Sequence, residues 1–437
     1  MGKLYNLVIG TASSLLLTFS AQAQIMTTVA GNGVAGYEGD GGQATMAKLF
    51  GPTAITIDTA GNLYICEQYN NTVRMVNKST GVITTVAGND TAGYSGDSSL
   101  AIHAKLNNPS GIAVDAAGNI YIADMNNAVI RKVTTDGKIY TIAGTGVQGY
   151  NGDGLRADSA KLNHPAGVAV DAAGNIFIAD KLNNRVRKIS AATGKISTIA
   201  GNGAAGYNSD LWPAATQAWL NQPTCLSMDK MGQLYIADEA NNRIRKLDTF
   251  GKISSVVTGL VDVTSVVADL YGNIYYTDRT TCRIAKCTPL GLKVPIAGTG
   301  SSGFAADSSN ARNVKIGGPT GITVDANANI YFSEWSNNRV RRISSTLGIN
   351  DEPATASGIE VYPNPVSNGQ FSLQLNGERG DMLVLIRNIA GQVVYQQQGK
   401  AGQKLTINAP LADGIYVVTA STANGTWSRK VEIASRR

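Results

Sequence analysis

The chain has 437 residues, of which 43% are hydrophobic, 6% aromatic and 16% charged, with a formal net charge of +6. That length exceeds the usual single domain and predicts two folded units plus processing segments. With 49 glycines against 12 prolines, the composition excludes disorder and a collagen-like fibre and points to an all-β globular protein with many tight turns.

At the N-terminus Lys3 precedes an apolar run through Leu7, Val8, Ile9, Leu15, Leu16, Leu17 and Phe19, followed by Ala21-Gln-Ala23, a small-x-small cleavage pattern. A signal peptide over 1–23 is expected, with cleavage after Ala23. The run is too short to span a bilayer, and no other stretch approaches about eighteen apolar residues, so no transmembrane segment is expected. Surplus positive charge on an exported protein faces acidic glycans or lipid headgroups before nucleic acid, and no nucleic-acid partner is expected. Export permits disulfides among Cys66, Cys225, Cys282 and Cys287. Cys282 and Cys287 lie on one predicted strand with opposed side chains, so free, buried thiols are the expectation.

Six segments then share one pattern, aligned on Ile55-Thr-Ile-Asp58, Ile112-Ala-Val-Asp115, Val168-Ala-Val-Asp171, Leu226-Ser-Met-Asp229, Val266-Val-Ala-Asp269 and Ile322-Thr-Val-Asp325. The aspartates are 57, 56, 58, 40 and 56 residues apart, the spacing of a repeat architecture. The third copy continues with Ile176-Phe-Ile-Ala-Asp180, Asn183-Asn-Arg-Val-Arg-Lys-Ile189 and Lys195-Ile-Ser-Thr-Ile-Ala-Gly201. Each copy therefore reads as a meander of four short strands separated by turn residues. Radial packing of such sheets covers their faces and shortens their exposed edges, which is the propeller solution. The sixth copy ends at Arg339-Val-Arg-Arg-Ile343 without a Thr-Val-Ala-Gly strand, and Met26-Thr-Thr-Val-Ala-Gly31 carries one ahead of the first copy. The outer strand of blade six is therefore expected from 25–31.

The recurring Leu-Tyr-Ile-Ala-Asp and Asn-Asn-Arg-x-Arg-Lys phrases, together with Gly-Tyr-x-Gly-Asp loops, resemble the NHL-repeat family in its bacterial form. The resemblance covers about 25–345 and implies a six-bladed β-propeller over 25–347. It also implies a protein-, glycan- or nucleic-acid-binding role of the kind most relatives have, a minority being enzymes such as amidating lyases.

After a polar linker over 348–357, seven short strands over 358–437 predict a small β-sandwich. Its phrases Tyr362-Pro-Asn-Pro365, Leu411-Ala-Asp-Gly-Ile-Tyr-Val-Val418 and Ser428-Arg-Lys-Val-Glu-Ile433 resemble the C-terminal sorting domain of the type IX secretion system. That resemblance implies the type IX machinery as a partner and a secreted or outer-membrane cell-surface location.

Five copies carry a long loop ahead of the inner strand, with Tyr37 and Asp40, Tyr94 and Asp97, Tyr150 and Asp153, Tyr207 and Asp210, and Phe304 and Asp307. Connections of one type emerge on one face, so these residues form a candidate ligand-binding rim for a glycan or protein. Recurrence at five blades favours tyrosines packed on the neighbouring blade and aspartates bonded to their own loop's amides, since a single binding site rarely needs five equal copies. Trp212 and Trp219, in the fourth loop, have no counterparts and join the candidate list. The acids closing the second strands, Glu67, Asp124, Asp180, Asp238, Asp278 and Glu334, read as caps of their own turns rather than metal ligands. Arginine pairs such as Arg185 with Arg187 share a strand face and read as partners for those acids. No metal or cofactor is expected.

The two histidines, His103 and His164, belong to different copies and cannot assemble the histidine-rich zinc site of the lyase relatives. No nucleophile elbow or phosphate loop is present. The sequence therefore points to a non-enzymatic binding module, the alternative being an extracellular hydrolase or lyase that uses carboxylates in the propeller channel.

Overall fold

The computed structural model describes residues 24–344, except 211–213, 270–271, 290 and 308–309, and residues 359–433, except 363–365, 367–369, 389–392 and 423–424. The expected signal peptide, the linker and Trp212 lie outside the described residues. The rest forms two compact units that divide between residues 345 and 346.

The larger unit consists of six four-stranded antiparallel sheets, and among the described residues helix is limited to short 3-10 turns. In blade three the strands are Pro165–Val170, Ile176–Asp180, Arg185–Ile189 and Ile196–Ala200. The second strand is buried at every residue because a neighbouring blade packs on each of its faces, which is why Ile-Phe-Ile-Ala reads as a continuous apolar run. The hairpin before it is closed by Asp171, which accepts from the Asn175 backbone at 2.8 Å and from its side chain at 2.7 Å. Gly174 supplies the left-handed residue of that turn, at φ +81°.

The ring closes through the N-terminal strand. Met26–Ala30 lies beside Arg339–Ile343 as the fourth strand of blade six. Its pairing skips Val29 between Thr28↔Arg341 and Ala30↔Val340. The same bulge skips Ile199 in blade three, so the seam reproduces the geometry of an ordinary outer pair.

Neighbouring blades share cores, as where Tyr121 and Ile130 of blade two meet Val168 and Ile178 of blade three. Nearest the axis the first strands of three blades approach their neighbours so closely, at Gly111, Gly167 and Gly321, that glycine is required. A Cβ on Gly111 would stand 2.3 Å from the Ala166 carbonyl oxygen, and one on Gly321 would stand 2.2 Å from that of Thr53. Hydroxyls bridge the same gap: Thr320 donates to the Pro52 carbonyl at 3.0 Å and Ser110 to that of Ala166 at 3.0 Å.

The smaller unit is a seven-stranded sandwich. A sheet of Ile359–Tyr362, Gln370–Leu375 and Leu405–Asn408 accompanies a four-stranded sheet ordered Val393–Ala401, Gly380–Asn388, Gly414–Thr422, Gly425–Ile433. Phe371, Leu373 and Ile407 meet Val384, Ile386 and Val418 in its core. The Val393–Ala401 strand runs well beyond the apolar triplet that announced it. It is an edge strand with its Gln-rich part in solvent, so no apolar alternation marks its length.

Candidate ligand-binding face

In an antiparallel meander of four, the turn joining strands two and three and the loop leaving strand four emerge at one end. The five Tyr/Phe-Asp loops and the six turns that follow the acidic residues therefore share a face.

The loop residues are tied into their own blades. Asp97, Asp153 and Asp210 each contact the guanidinium of Arg131, Arg187 or Arg245 at 2.9 Å, and Asp307 contacts that of Arg341 at 3.0 Å. Asp40 contacts Arg74 at 2.5 Å. All five arginine side chains are fully buried. On its inner side each meets the acid that ends the second strand, Glu67, Asp124, Asp180, Asp238 or Glu334, at 3.4 to 3.7 Å. Asp124 also accepts from the Asn107 backbone at 2.7 Å and from the Asn127 side chain at 2.8 Å. Burial is the dominant influence on these acids. It raises Asp124, Asp180 and Asp238 to about 6 and Glu67 to about 7, against the opposing pull of hydrogen bonds and arginine.

The loop aromatics sit on the same arginines or, more closely, on the arginine two residues before them. Arg131 lies 5.1 Å from the Tyr94 ring centre and Arg74 lies 5.3 Å from that of Tyr37. Arg185, Arg243 and Arg339 come within 3.9, 3.5 and 3.9 Å of Tyr150, Tyr207 and Phe304. The Tyr37 and Tyr94 hydroxyls bond Thr85 and Thr141 at 2.8 Å. Blade five shows the logic by omission. Its loop is shortened to Val257-Thr-Gly-Leu260, and Ala285 stands where the buried arginine would be. Asp278 instead accepts from the Val261 and Asp262 backbone at 3.0 and 3.2 Å.

Trp219 is 39% exposed and packs beside Gly206. His164 Nδ1 faces the Asn163 side-chain oxygen at 3.1 Å, and neither histidine lines the channel. The four thiols are free. Cys225 lines the channel, with its sulfur 3.3 Å from the Ser265 hydroxyl. Cys282 precedes its strand rather than lying on it, occupying a left-handed turn position at φ +46°. The repeat puts Asn71, Asn184, Asn242 or Asn338 there in other blades.

The first strands enclose a central channel of about 380 Å³. At the loop face its mouth is lined by Gln68, Met125, Lys181, Glu239 and Arg279, each the first residue after the acidic end of a second strand. Trp335 holds that position in blade six. Lys181 and Glu239 pair at 2.6 Å, Arg279 reaches Glu239 at 3.6 Å, and Arg279 Nε meets Asp262 at 2.8 Å. On the opposite side of the ring the Trp335 indole N–H donates to Gln68 Oε1 at 3.2 Å. Tyr69 lies 5.8 Å from Trp335 and 4.7 Å from Phe50, centre to centre.

The NHL-repeat family model matches residues 162–189 and 220–247, a teneurin NHL model matches 90–149, and a secretion-system C-terminal sorting-domain model matches 360–434. This chain is an NHL-repeat propeller with a type IX sorting domain. The NHL propeller is 26% identical over 290 residues to the chloroplastic protein SUPPRESSOR OF QUENCHING 1 of Arabidopsis thaliana, covering 60% of this chain and 27% of that protein. It is 32% identical over 235 residues to teneurin-3 of Danio rerio, covering 48% of this chain and 8% of the relative. The chain thus spans about a quarter or less of these relatives' lengths. A solved structure of an auxiliary nutrient binding protein from Bacteroides thetaiotaomicron superposes with a TM-score of 0.52 at 15% identity. That superposition covers 74% of this chain and 76% of the other and speaks for the fold. The sorting domain marks the NHL propeller for the cell surface or secretion. Among the described residues no helix is long and apolar enough to cross a membrane.

Sequence reading of the NHL propeller missed Phe50, Gln68, Tyr69, Met125, Lys181, Glu239, Arg279 and Trp335. For the residues that follow the second strands the signal was present: after a near-constant acid, two successive positions change residue in every copy, Gln68-Tyr69, Met125-Asn126, Lys181-Leu182, Glu239-Ala240, Arg279-Thr280 and Trp335-Ser336.

Proposed function

We propose that this protein is an exported, non-enzymatic binding propeller that recognises a glycan or protein at the channel mouth on its loop face. One observation carries the reading. Six blades built to one pattern put six different side chains at one position: Gln68, Met125, Lys181, Glu239 and Arg279 line one opening, and Trp335 donates to Gln68 beside it. A structural requirement repeats its residue, as the buried acid–arginine pairs do. In this reading the loop residues, Tyr37 with Asp40 through Phe304 with Asp307, frame the mouth, and Trp219 extends the rim. A signal peptide over 1–23 starts export, and the type IX machinery, reading 358–437, delivers the propeller to the outer-membrane surface or the medium.

The alternative is a carboxylate-dependent hydrolase or lyase. Among the described residues Glu239 is the one carboxylate lining the channel, and it is held by Lys181 and Arg279. Glycan and protein arrays run beside generic hydrolase substrates separate the two. A ligand retained without turnover supports binding, and turnover abolished by Glu239→Gln would establish the enzyme.

A further inference from the structure

Resting on that reading, we infer that the ligand is a neutral carbohydrate, held by one pyranose ring stacked on Tyr69 beside Trp335. Phe50 and Tyr69 are 38% and 46% exposed. Their rings and that of Trp335 are tilted 46° and 52° to one another, so they do not cover each other's faces. A pyranose matches such a surface: its C–H face meets the electron-rich ring while its hydroxyls stay free to bond at the edge.

Gly51 shows that the platform is built. Its φ is +59°, and the same position before proline holds Asn108 at +59°, His164 at +51° and Gln222 at +54°. That turn therefore accepts side chains. What excludes one at Gly51 is the platform: a Cβ would stand 2.7 Å from the Tyr69 ring and 3.2 Å from Trp335 Nε1.

Polar groups for the hydroxyls lie alongside. Because indole N–H only donates, Gln68 Oε1 is fixed as its acceptor. The Gln68 NH2 group then has no protein acceptor among the described residues. Asn108 lines the channel on the next blade, and its side-chain oxygen is buried without a partner. A donor and an acceptor lining one channel suit a sugar hydroxyl, which does both. The channel, about 380 Å³, admits a terminal sugar or two but no folded protein. Across the mouth Lys181 and Arg279 are balanced by Glu239 and Asp262, leaving no net charge to attract an acidic saccharide.

The test is calorimetric titration of the full secreted chain with methyl glucoside, galactoside, mannoside and xyloside, N-acetylglucosamine and cellobiose, alongside glucuronate and proline-rich peptides. At least one neutral sugar is expected to bind. Tyr69→Ala should weaken it about tenfold or more, as should Gly51→Asn, which the turn tolerates but the platform does not. Phe250→Ala, in an exposed turn on the face opposite the loops, should leave affinity within about twofold, and melting temperatures check that each variant folds. Absence of binding by every neutral sugar, or binding indifferent to both Tyr69→Ala and Gly51→Asn, overturns the assignment. If glucuronate or a peptide binds instead and Tyr69→Ala weakens it, the neutral-carbohydrate assignment falls while the mouth remains the site.

Discussion

Met26 stands opposite Ile343 with its side chain wholly buried, so the first described strand belongs to the last blade. Met26 packs with Ile284, Ile322 and Phe332 from blades five and six. Met26→Ala should destabilise the propeller by about 2–5 kcal/mol. Deleting residues 25–31 should strip blade six of its outer strand and abolish the single cooperative melt. Differential scanning calorimetry checks both, and an unchanged melt in the deletion would show that the ring does not depend on this strand.

The buried arginines allow a sharper test. Arg131 lies between Asp97 at 2.9 Å and Asp124 at 3.5 Å. Arg131→Ala leaves Asp124 buried and uncompensated, which should cost roughly 3–5 kcal/mol in chemical denaturation. Blade five tolerates Ala285 because its shortened loop brings no equivalent of Asp97 and Asp278 bonds backbone amides instead. A cost under about 1 kcal/mol would mean that the loop clamp is decorative.

The same acids set a pH dependence. Asp124, Asp180 and Asp238 stand at about 6 in the folded chain against an ordinary 3.8. Between those values the native state binds more protons than the unfolded one. Their contribution to stability is therefore complete below pH 4 and is lost as pH rises through 6. Urea midpoints should fall between pH 4.5 and pH 7 and level off above, and Asp124→Asn should flatten part of that slope. A midpoint that rises across the window would contradict the burial-dominated assignment.

Ala328 occupies the left-handed position of its hairpin at φ +60°, where the other five copies place Gly61, Gly118, Gly174, Gly232 and Gly272 at φ +76° to +90°. The turn is kept and alanine bears its strain, so Ala328→Gly should stabilise by about 1 kcal/mol. Equilibrium unfolding of the single variant measures it, and a loss of stability would overturn the strain assignment.

The blades were legible because their grammar is local: β-branched runs, Asp-x-x-Gly-Asn hairpins and a period near 57 residues need no tertiary knowledge. The roles of Arg187 and Arg245 were half legible, since each belongs to a pair two apart that shares a strand face but gives no hint that one member is buried between two acids. The mouth was not legible. Phe50, Tyr69 and Trp335 come from the first and last blades and meet only when the ring closes. Repetition drew attention to the loop tyrosines, which the structure ties to arginines within their own blades, while the residues that vary were hidden by the very pattern that revealed the fold.

The most direct measurement is the affinity of whichever ligand the arrays return for Trp335→Ala and for Phe250→Ala, an exposed residue on the face opposite the loops, made side by side in the secreted chain. A mouth-centred site predicts a loss of about tenfold or more for Trp335→Ala and little change for Phe250→Ala. The reverse order would place binding on the opposite face and contradict the account.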